Sequence, residues 1–246
     1  MAKTLIIIPS RMAATRLPGK ALLKINNLSI ISHVFKRAEE ANIGEVVVAT
    51  DHEEILEEVL KNRGRAILTD KNHKTGTDRI FEAYEKLDIK NIDYILNLQG
   101  DEPDINKDDI INLNNLMINQ DAELGTLAAK IQDDKILSNK NIVKVITDKK
   151  LVENNFPTAL NFTRNYLSTD SQNIFHHIGI YSYKTSTLKK FVSLDQTKNE
   201  KNNKLEQLRA LDNKLKINVA LAKYSPIGVD TEEDYLAIKK IMEYKI

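Results

Sequence analysis

The first strand and the loop that follows it constrain the fold most. Residues 5–8 form an apolar, mostly β-branched run, LIII, which is typical of a strand buried on both faces of a parallel sheet. Pro9 ends the run, because proline cannot donate a hydrogen bond to a neighbouring strand. The sequence therefore predicts a central strand of an α/β sheet here.

The loop after this strand carries three cations, Arg11, Arg16 and Lys20, with Pro18 and Gly19 before the last of them. Ligands of open α/β sheets bind at the carboxyl ends of the strands, so three cations there favour a polyanion such as a triphosphate. A solvated basic surface loop is the alternative. The loop has neither the spacing of the common phosphate loop nor a GxGxxG pattern, so side chains rather than backbone amides would hold the phosphates.

Composition narrows the class of protein. The 246 residues suffice for one large α/β domain or two small ones, and the net charge of +1 gives no electrostatic argument for a nucleic-acid or membrane partner. The chain has no cysteine, which excludes disulfides and thiolate chemistry and fits a reducing compartment. The first apolar run is too short for a signal peptide or a membrane span. We therefore expect a cytoplasmic protein.

Helix and strand patterns alternate over about the first 130 residues. Helical periodicity predicts helices over 29–42, 53–63, 77–86 and 107–119, and apolar runs predict strands over 45–50, 66–68 and 94–98. This alternation favours an α/β fold with a Rossmann-like, mostly parallel sheet and helices on both faces. Further along we expect strands over 124–131, 143–147, 160–164, 175–183 and 217–222 and helices over 187–192, 204–211 and 231–244. The absence of a linker predicts one domain, 1–246, with an elaborated second half.

Two aspartates are candidates for a metal site. Asp101 follows a predicted buried strand and Gly100, and Asp230 follows an Ile-Gly-Val segment. Mg²⁺ binds through one or two carboxylates together with substrate phosphates. The alternatives are a turn aspartate for Asp101 and a first-turn charge of the last helix for Asp230. From the sequence alone, His177 is more typical of a satisfied core residue, and Glu206 and Gln207 of an exposed helix face.

Eight motifs occur in an order typical of one family. They are PSRMAATRLPGK (9–20), ATDHEEI (49–55), HKTGTDR (73–79), NLQGDEP (97–103), NFTR (161–164), HIGIYSY (177–183), LEQLR (205–209) and GVDTEEDY (228–235). Over nearly its whole length the chain resembles the 3-deoxy-manno-octulosonate cytidylyltransferases, or CMP-Kdo synthetases. The RLPGK and HIGIYSY segments favour this family over the related CMP-sialate synthetases.

The resemblance implies a fold of the nucleotide-diphospho-sugar transferase type, with a nucleotide-binding half, 1–130, and a half for the sugar site and dimer contact, 131–246. It implies an Mg²⁺-dependent enzyme, a homodimer, that transfers CMP from CTP to Kdo for lipopolysaccharide synthesis. The implied site residues are Arg11, Arg16 and Lys20 for the CTP phosphates; Thr75 and Gly76 for the nucleotide; Gln99 and Asp101 at the junction of nucleotide, metal and sugar; Asp101 and Asp230 for the metal; and Arg164, His177, Glu206 and Gln207 for the sugar.

The sequence departs from the family pattern at several positions. Ala14 and Thr75 each stand where the family usually has Ser, and His176 replaces a more usual basic or polar residue. Residues 165–168 lack the usual Ile-Pro and a second downstream Arg. These departures leave two alternatives open: a cytidylyltransferase for a related ulosonic acid, 8-amino-Kdo or sialic acid, and a CTP-binding homologue without catalysis.

Overall fold

The computed structural model describes residues 2–165 and 173–244. The chain divides into two compact units, Met1–Ile110 with Pro226–Ile246, and Ile111–Ser225. Most of the unusual segment at 165–168 lies outside the described residues. The single domain with halves 1–130 and 131–246 stays a prediction.

The first unit is built on a parallel sheet. Its strands pair side by side in the order β6-β1-β4-β5, and residues 5–8 of β1 are fully buried. The elements are β1 (Thr4–Ser10), β2 (Lys24–Ile25), β3 (Leu28–Ser29), α1 (Ile30–Glu40), β4 (Gly44–Thr50), α2 (Glu53–Lys61), β5 (Ala66–Leu68), α3 (Gly76–Leu87) and β6 (Tyr94–Asn97), and α4 (Lys107–Asn119) runs across the division.

Side-chain caps start α1 and α3. Ser29 Oγ accepts a hydrogen bond from the Ser32 amide at 3.3 Å at the start of α1, and Thr75 Oγ1 accepts one from the Asp78 amide at 3.1 Å at the start of α3. Such caps satisfy amides that have no partner within the helix. The cap therefore fixes Thr75, a predicted nucleotide-site residue, at the first turn of α3.

The second unit contains antiparallel and parallel pairs. β10 pairs antiparallel with β7 and β8, β8 with β9 antiparallel, and β11 with β7 parallel. Its elements are β7 (Leu124–Ala129), α5 (Asp134–Ser138), β8 (Lys144–Thr147), β9 (Ala159–Thr163), β10 (Ile174–Lys184), α6 (Thr185–Val192), α7 (Lys198–Asn203), α8 (Leu208–Asp212) and β11 (Asn218–Leu221). The predicted α/β class with a mostly parallel sheet is confirmed.

The last helix, α9 (Glu232–Glu243), belongs to the first unit. Its buried Ile238 and Met242 form one apolar cluster with Ile25, Ile30 and Val229. The cluster joins the segment just before Asp230 to the β2–β3 hairpin. This packing sets the position of Asp230.

The structure corrects the prediction of a helix over 204–211. Lys204 is the left-handed cap of α7, with φ 53°, and α8 begins only at Leu208. Glu206 and Gln207 therefore precede a helix rather than lie on its face. The sequence did not predict α7, because its residues, KNEKNN, have no apolar periodicity. Among the described residues, no helix is both long and apolar enough to span a bilayer.

Candidate active site

A cleft of about 440 Å³ opens at the carboxyl ends of the parallel strands in the first unit. This volume lies within the range of small-molecule sites. Every residue of its lining comes from the first unit: Pro9, Ser10, Arg11, Ala14, Thr15, Arg16, Lys20, Ala21, His73, Lys74, Thr75, Gly76, Arg79, Gln99, Gly100, Asp101 and Asp230. The predicted residues Arg11, Arg16, Lys20, Thr75, Gly76, Gln99, Asp101 and Asp230 thus share one cleft.

Lys20 is the centre of the polar contacts in this cleft. Its Nζ donates to Asp101 Oδ2 at 2.6 Å, to the Val229 carbonyl at 2.7 Å and to Asp230 Oδ1 at 3.0 Å. Burial alone would lower the pKa of Lys20, but Asp101 and Asp230 outweigh it and raise that pKa. Lys20 is therefore charged at neutral pH and holds the two carboxylates together.

The other two cations of the loop lie at the exposed side of the cleft. Arg16 Nη2 pairs with Asp230 Oδ2 at 2.6 Å, and both side chains are about half exposed. Arg11 also lines the cleft and is exposed. An exposed ion pair stabilises the fold little. Arg16 can therefore exchange its carboxylate for a ligand phosphate at small cost.

The loop that carries these cations is shaped by its own backbone. The Met12 carbonyl accepts hydrogen bonds from the amides of Ala14 at 3.0 Å and Gly19 at 3.1 Å. Gly19 has φ +70°, a conformation that glycine adopts without the steric cost of a side chain. The turn at Gly19 directs Lys20 toward Asp101.

A buried ion pair anchors the start of this loop. Arg79 Nη2 lies 3.0 Å from Asp51 Oδ2, with side chains 5% and 13% exposed. Asp51 Oδ1 also accepts from the Met12 amide at 3.3 Å, and Arg79 Nη1 donates to Thr69 Oγ1 at 2.6 Å. Arg79 thus joins the cation loop to the loop after β5.

That second loop, residues 69–76, is attached to α3 through Glu82. The Glu82 carboxylate accepts from the Asp70 amide at 2.9 Å and pairs with His73 and with Lys86. Burial opposes the charge, but the hydrogen bonds from Lys86, His73 and Asp70 outweigh it and lower the pKa of Glu82 to about 2. These contacts hold the loop where His73 and Lys74 reach the cleft.

Gly100 lets the loop after β6 approach the end of β1. A Cβ on Gly100 would lie 2.8 Å from the Pro9 carbonyl oxygen and 3.2 Å from Ile31 Cδ1. The first contact is with backbone, so it cannot be relieved by a rotamer change. This close approach sets the position of Asp101, the next residue.

We expect Gly100→Ala to lower the free energy of unfolding by about 1–3 kcal/mol, since overpacking forces the backbone to shift. Urea denaturation measures this loss. Gly228→Ala is the matched control, because its Cβ would meet Glu102 Cγ at 3.9 Å, an ordinary contact. Equal stability of the two variants would contradict the close approach.

The acidic residues of the cleft fit Mg²⁺. Asp101 and Asp230 both contact the one ammonium of Lys20, so their oxygens converge on a position that a cation already occupies. Within residues 2–165 and 173–244, no three His, Asp or Glu side chains group as a metal site. Two carboxylates completed by substrate phosphates are the arrangement that Mg²⁺ prefers.

The neighbouring Glu102 is not suited to that role. Burial, together with the charge of Asp101, raises the pKa of Glu102 to about 8. Its buried Oε2 has no hydrogen-bond partner in the described part of the chain. Glu102 is therefore mostly protonated, and so uncharged, at neutral pH.

The predicted sugar residues Arg164, His177, Glu206 and Gln207 belong to the second unit. His177 lies in β10 against the rings of Phe162, at 4.9 Å between centroids, and Tyr181, at 5.6 Å. Burial, and to a lesser degree His176, lowers the pKa of His177 to about 3. His177 is therefore a neutral ring in an aromatic setting.

Glu206 and Gln207 lie just before α8. The Glu206 carboxylate is close enough to Tyr181 that, after burial and Tyr183, it helps raise the pKa of the Tyr181 hydroxyl well above its usual value. Gln207 is buried. His177, Tyr181 and Glu206 thus form one polar and aromatic group.

Arg164 makes different contacts. Its Nη1 donates to the Asn141 carbonyl at 2.9 Å and the Lys140 carbonyl at 3.4 Å. The buried Lys144 ammonium donates to the Arg164 carbonyl at 3.1 Å and the Asn139 carbonyl at 2.6 Å. The guanidinium of Arg164 is thus engaged by the turn at 139–141.

The structure brings to these groups several residues that were not predicted as site residues. His73, Lys74 and Arg79 line the cleft, and Asp51 holds Arg79. The position of Asp51 in the sequence could have identified it as a site residue, because it directly follows β4. Asp101 likewise follows β6 within a few residues. Nothing in the sequence beyond the HIGIYSY motif indicated that Tyr181 would lie beside His177.

Comparisons with known proteins identify relatives of this chain. The sequence pattern of the family described as Cytidylyltransferase matches residues 5–217. The 3-deoxy-manno-octulosonate cytidylyltransferase of Rhodopseudomonas palustris (strain BisB18) is 42% identical over 247 residues, which cover 98% of each chain. That of Bartonella bacilliformis (strain ATCC 35685 / KC583 / Herrer 020/F12,63) is 39% identical over 241 residues, again covering 98% of each chain.

Solved structures have the same fold. A CMP:2-keto-3-deoxy-manno-octonic acid synthetase complexed with CTP superimposes with a TM-score of 0.90 at 31% identity, and the match covers 100% of both chains. A nucleotidyl transferase from Methanothermobacter thermautotroptrophicus has a TM-score of 0.65 at 14% identity, covering 99% of each chain. The second likeness concerns the fold alone.

Proposed function

The chain belongs to the cytidylyltransferase family, and on that premise we propose that it transfers CMP from CTP to Kdo and releases pyrophosphate. The product would be the activated sugar for lipopolysaccharide synthesis. The observation that carries the proposal is the convergence of Lys20, Asp101 and Asp230 in the cleft of the first unit. That arrangement joins a fixed cation to two carboxylates at the ends of parallel strands.

The charges of the cleft suit a nucleoside triphosphate. Its lining has five cationic side chains, Arg11, Arg16, Lys20, Lys74 and Arg79, against the two carboxylates of Asp101 and Asp230. Arg79 is already paired with Asp51. A triphosphate carries more negative charge than the net positive charge of this lining can neutralise. A divalent cation on the two aspartates would neutralise the remainder. Cations fixed in advance stabilise charge that develops in the transition state.

In the proposed reaction the anomeric hydroxyl of Kdo attacks the α-phosphorus of CTP. A new P–O bond forms to the sugar, the bond to the bridging oxygen of the β-phosphate breaks, and its electron pair leaves with pyrophosphate. Arg11, Arg16 and Lys20 would bind the phosphates and stabilise the charge on the leaving group. The hydroxyl proton passes to solvent.

Asp101 and Asp230 would hold Mg²⁺, which when bound neutralises phosphate charge and polarises the α-phosphate. Arg164, His177, Glu206 and Gln207 would bind the sugar acid, and Gln99, Thr75 and Gly76 the nucleotide. The homodimer and the cytoplasmic location are proposed with the function, on the family resemblance and on the cysteine-free composition.

Asp101→Asn is expected to weaken metal binding in the CTP complex by about tenfold or more, because it removes one of two charged ligands. Mn²⁺ serves as the probe, with its dissociation constant measured by electron paramagnetic resonance in the presence of CTP. Asp88→Asn is the control, since Asp88 is exposed at the left-handed end of α3. Equal Mn²⁺ affinity in Asp101→Asn would refute the metal role.

Pyrophosphate release tests the function itself. The assay contains Mg²⁺, CTP and Kdo, with ATP, GTP and UTP as nucleotide controls and with 8-amino-Kdo and sialic acid compared through kcat/KM. We expect release that requires both CTP and Kdo. CTP binding without release on any of the three sugars would overturn the proposal.

A further inference from the structure

The pairing of β10 with β7 is interrupted beside His177. The register shifts between Ile178 and Tyr181, and the fully buried Thr126 of β7 lies opposite the shift. Thr126 Oγ1 is 2.7 Å from the Ile180 carbonyl oxygen, 3.2 Å from the Ile178 carbonyl oxygen and 3.1 Å from His177 Nε2. Three polar groups thus surround one hydroxyl.

The single proton of that hydroxyl decides the direction of each hydrogen bond. Both carbonyl oxygens can only accept, and the shorter distance places the proton toward Ile180. The Thr126 oxygen then has lone pairs to offer, so His177 Nε2 must donate to it. If Thr126 donated its proton to His177 instead, the Thr126 and Ile180 oxygens would lie 2.7 Å apart without a hydrogen between them. Such a buried contact is unfavourable.

His177 then has one defined tautomer. A neutral imidazole carries one proton, and the low pKa of His177, caused by burial and by His176, keeps the ring neutral. With the proton on Nε2, Nδ1 has the lone pair. In the described part of the chain, Nε2 is the ring nitrogen that makes a hydrogen bond.

We propose that Thr126 is a positioning residue that fixes His177 as the Nε2–H tautomer, so that Nδ1 accepts a hydrogen bond from a ligand hydroxyl. This inference deepens the proposed function, on which it rests for the identity of the ligand. A positioned acceptor distinguishes a hydroxyl donor from a ligand that lacks one, because an unmatched buried polar group is costly.

The surroundings of His177 suit a ligand rich in hydroxyls. The Tyr181 ring lies 5.6 Å from that of His177 between centroids, and its hydroxyl stays protonated because burial, Tyr183 and Glu206 raise its pKa. A ring acceptor, a phenol and a carboxylate therefore belong to one group. Such a mixture recognises a polyol such as a sugar acid.

The first test reads the tautomer directly. Histidine labelled with ¹⁵N is incorporated into the whole protein, and the ring signals of His177 among the five histidines are identified by their loss in His177→Asn. We expect the neutral Nε2–H tautomer from about pH 5 to about pH 9, a range in which an ordinary histidine of pKa about 6.5 would titrate. Thr126→Ser should keep this pattern, and Thr126→Val should populate the Nδ1–H tautomer.

The second test measures sugar binding. Thr126→Val is expected to raise KM for Kdo by about three- to tenfold, the effect of losing one neutral hydrogen bond, with KM for CTP unchanged. Thr126→Ser should restore the wild-type KM. Thr187→Val, at another buried threonine, in α6, is the control and should change neither constant.

The outcomes separate this inference from the proposed function. An Nδ1–H tautomer or an imidazolium in the wild type at neutral pH would overturn the inference, as would a Thr126→Val variant with unchanged tautomer. A Thr126→Val variant whose KM for Kdo is unchanged would refute the acceptor role. The Nε2–H tautomer without turnover on Kdo would support the role of Thr126 and reject the proposed function.

Discussion

Lys20→Met lowers kcat for pyrophosphate release by about 10²–10³-fold, the expected effect of removing one fixed charge that stabilises a developing anion. Methionine keeps an unbranched apolar stem like that of lysine but loses the ammonium and its three contacts, at 2.6, 2.7 and 3.0 Å. Asp101 and Asp230 then face each other without their shared cation. Both are partly exposed, so solvent screens their repulsion and the folding free energy changes by only about 1 kcal/mol or less.

Steady-state kinetics and thermal unfolding, measured on the same preparations, check this prediction. Lys24→Met is the matched control, because Lys24 is exposed on β2 and is absent from the lining of the cleft. A Lys20→Met enzyme with wild-type kcat would show that the ammonium serves only to hold the carboxylates in the ligand-free protein.

Arg209→Met is expected to lower the free energy of unfolding by about 3–5 kcal/mol, because it leaves a buried carboxylate without its partner. Arg209 donates to both oxygens of Glu200, at 2.9 and 2.7 Å, and the two side chains are 3% and 5% exposed. The guanidinium also lies 4.7 Å above the Phe191 ring. Urea denaturation measures the loss.

Two further variants test this reasoning. Glu200→Gln in the Arg209→Met background removes the unpaired charge and keeps the capping box of α7, so it should recover most of the lost stability. Arg37→Met breaks an exposed pair with Glu40 and should cost about 0.5 kcal/mol or less. Equal losses in Arg37→Met and Arg209→Met would contradict the role of burial.

The stability of the Arg209 pair also depends on pH. Burial disfavours the Glu200 carboxylate, but hydrogen bonds from Arg209, Gln196 and the Thr197 amide outweigh it and lower the pKa of Glu200. The group contributes stability fully above its unfolded pKa of about 4.3 and loses it as pH falls through the lower folded value. Acid titration of unfolding should therefore show a smaller decline in Arg209→Met than in the wild type.

Local patterns predicted the elements whose own residues determine them. The buried run at residues 5–8 is β1, and the helix predicted over 29–42 contains α1, Ile30–Glu40. The strand-end rule also placed Asp101 and the cation loop at one edge of the sheet. These inferences succeeded because they depend on neighbours in sequence.

Those local patterns could not predict which residues distant in sequence contact each other. The Asp51–Arg79 pair joins residues 28 positions apart, and Thr126 meets His177 across 51 positions. The β2–β3 hairpin was missed because it consists of two-residue strands around Asn26 and Asn27, both with positive φ, and so shows no alternation. In such cases the polar groups become partners only when the sheet has assembled and brought them together.

The position of Asp230 has a consequence for the order in which the protein acquires its binding site during synthesis. Lys20 contacts Val229 across 209 positions, and Ile25 and Ile30 are covered by α9. While the ribosome is still making the intervening chain, at about 5–20 residues per second, these isoleucines lack that cover. The cleft thus acquires its second carboxylate only after the 210 positions that separate Lys20 from Asp230 have been synthesised, and a nascent chain halted before that point should retain an apolar surface for chaperones to bind.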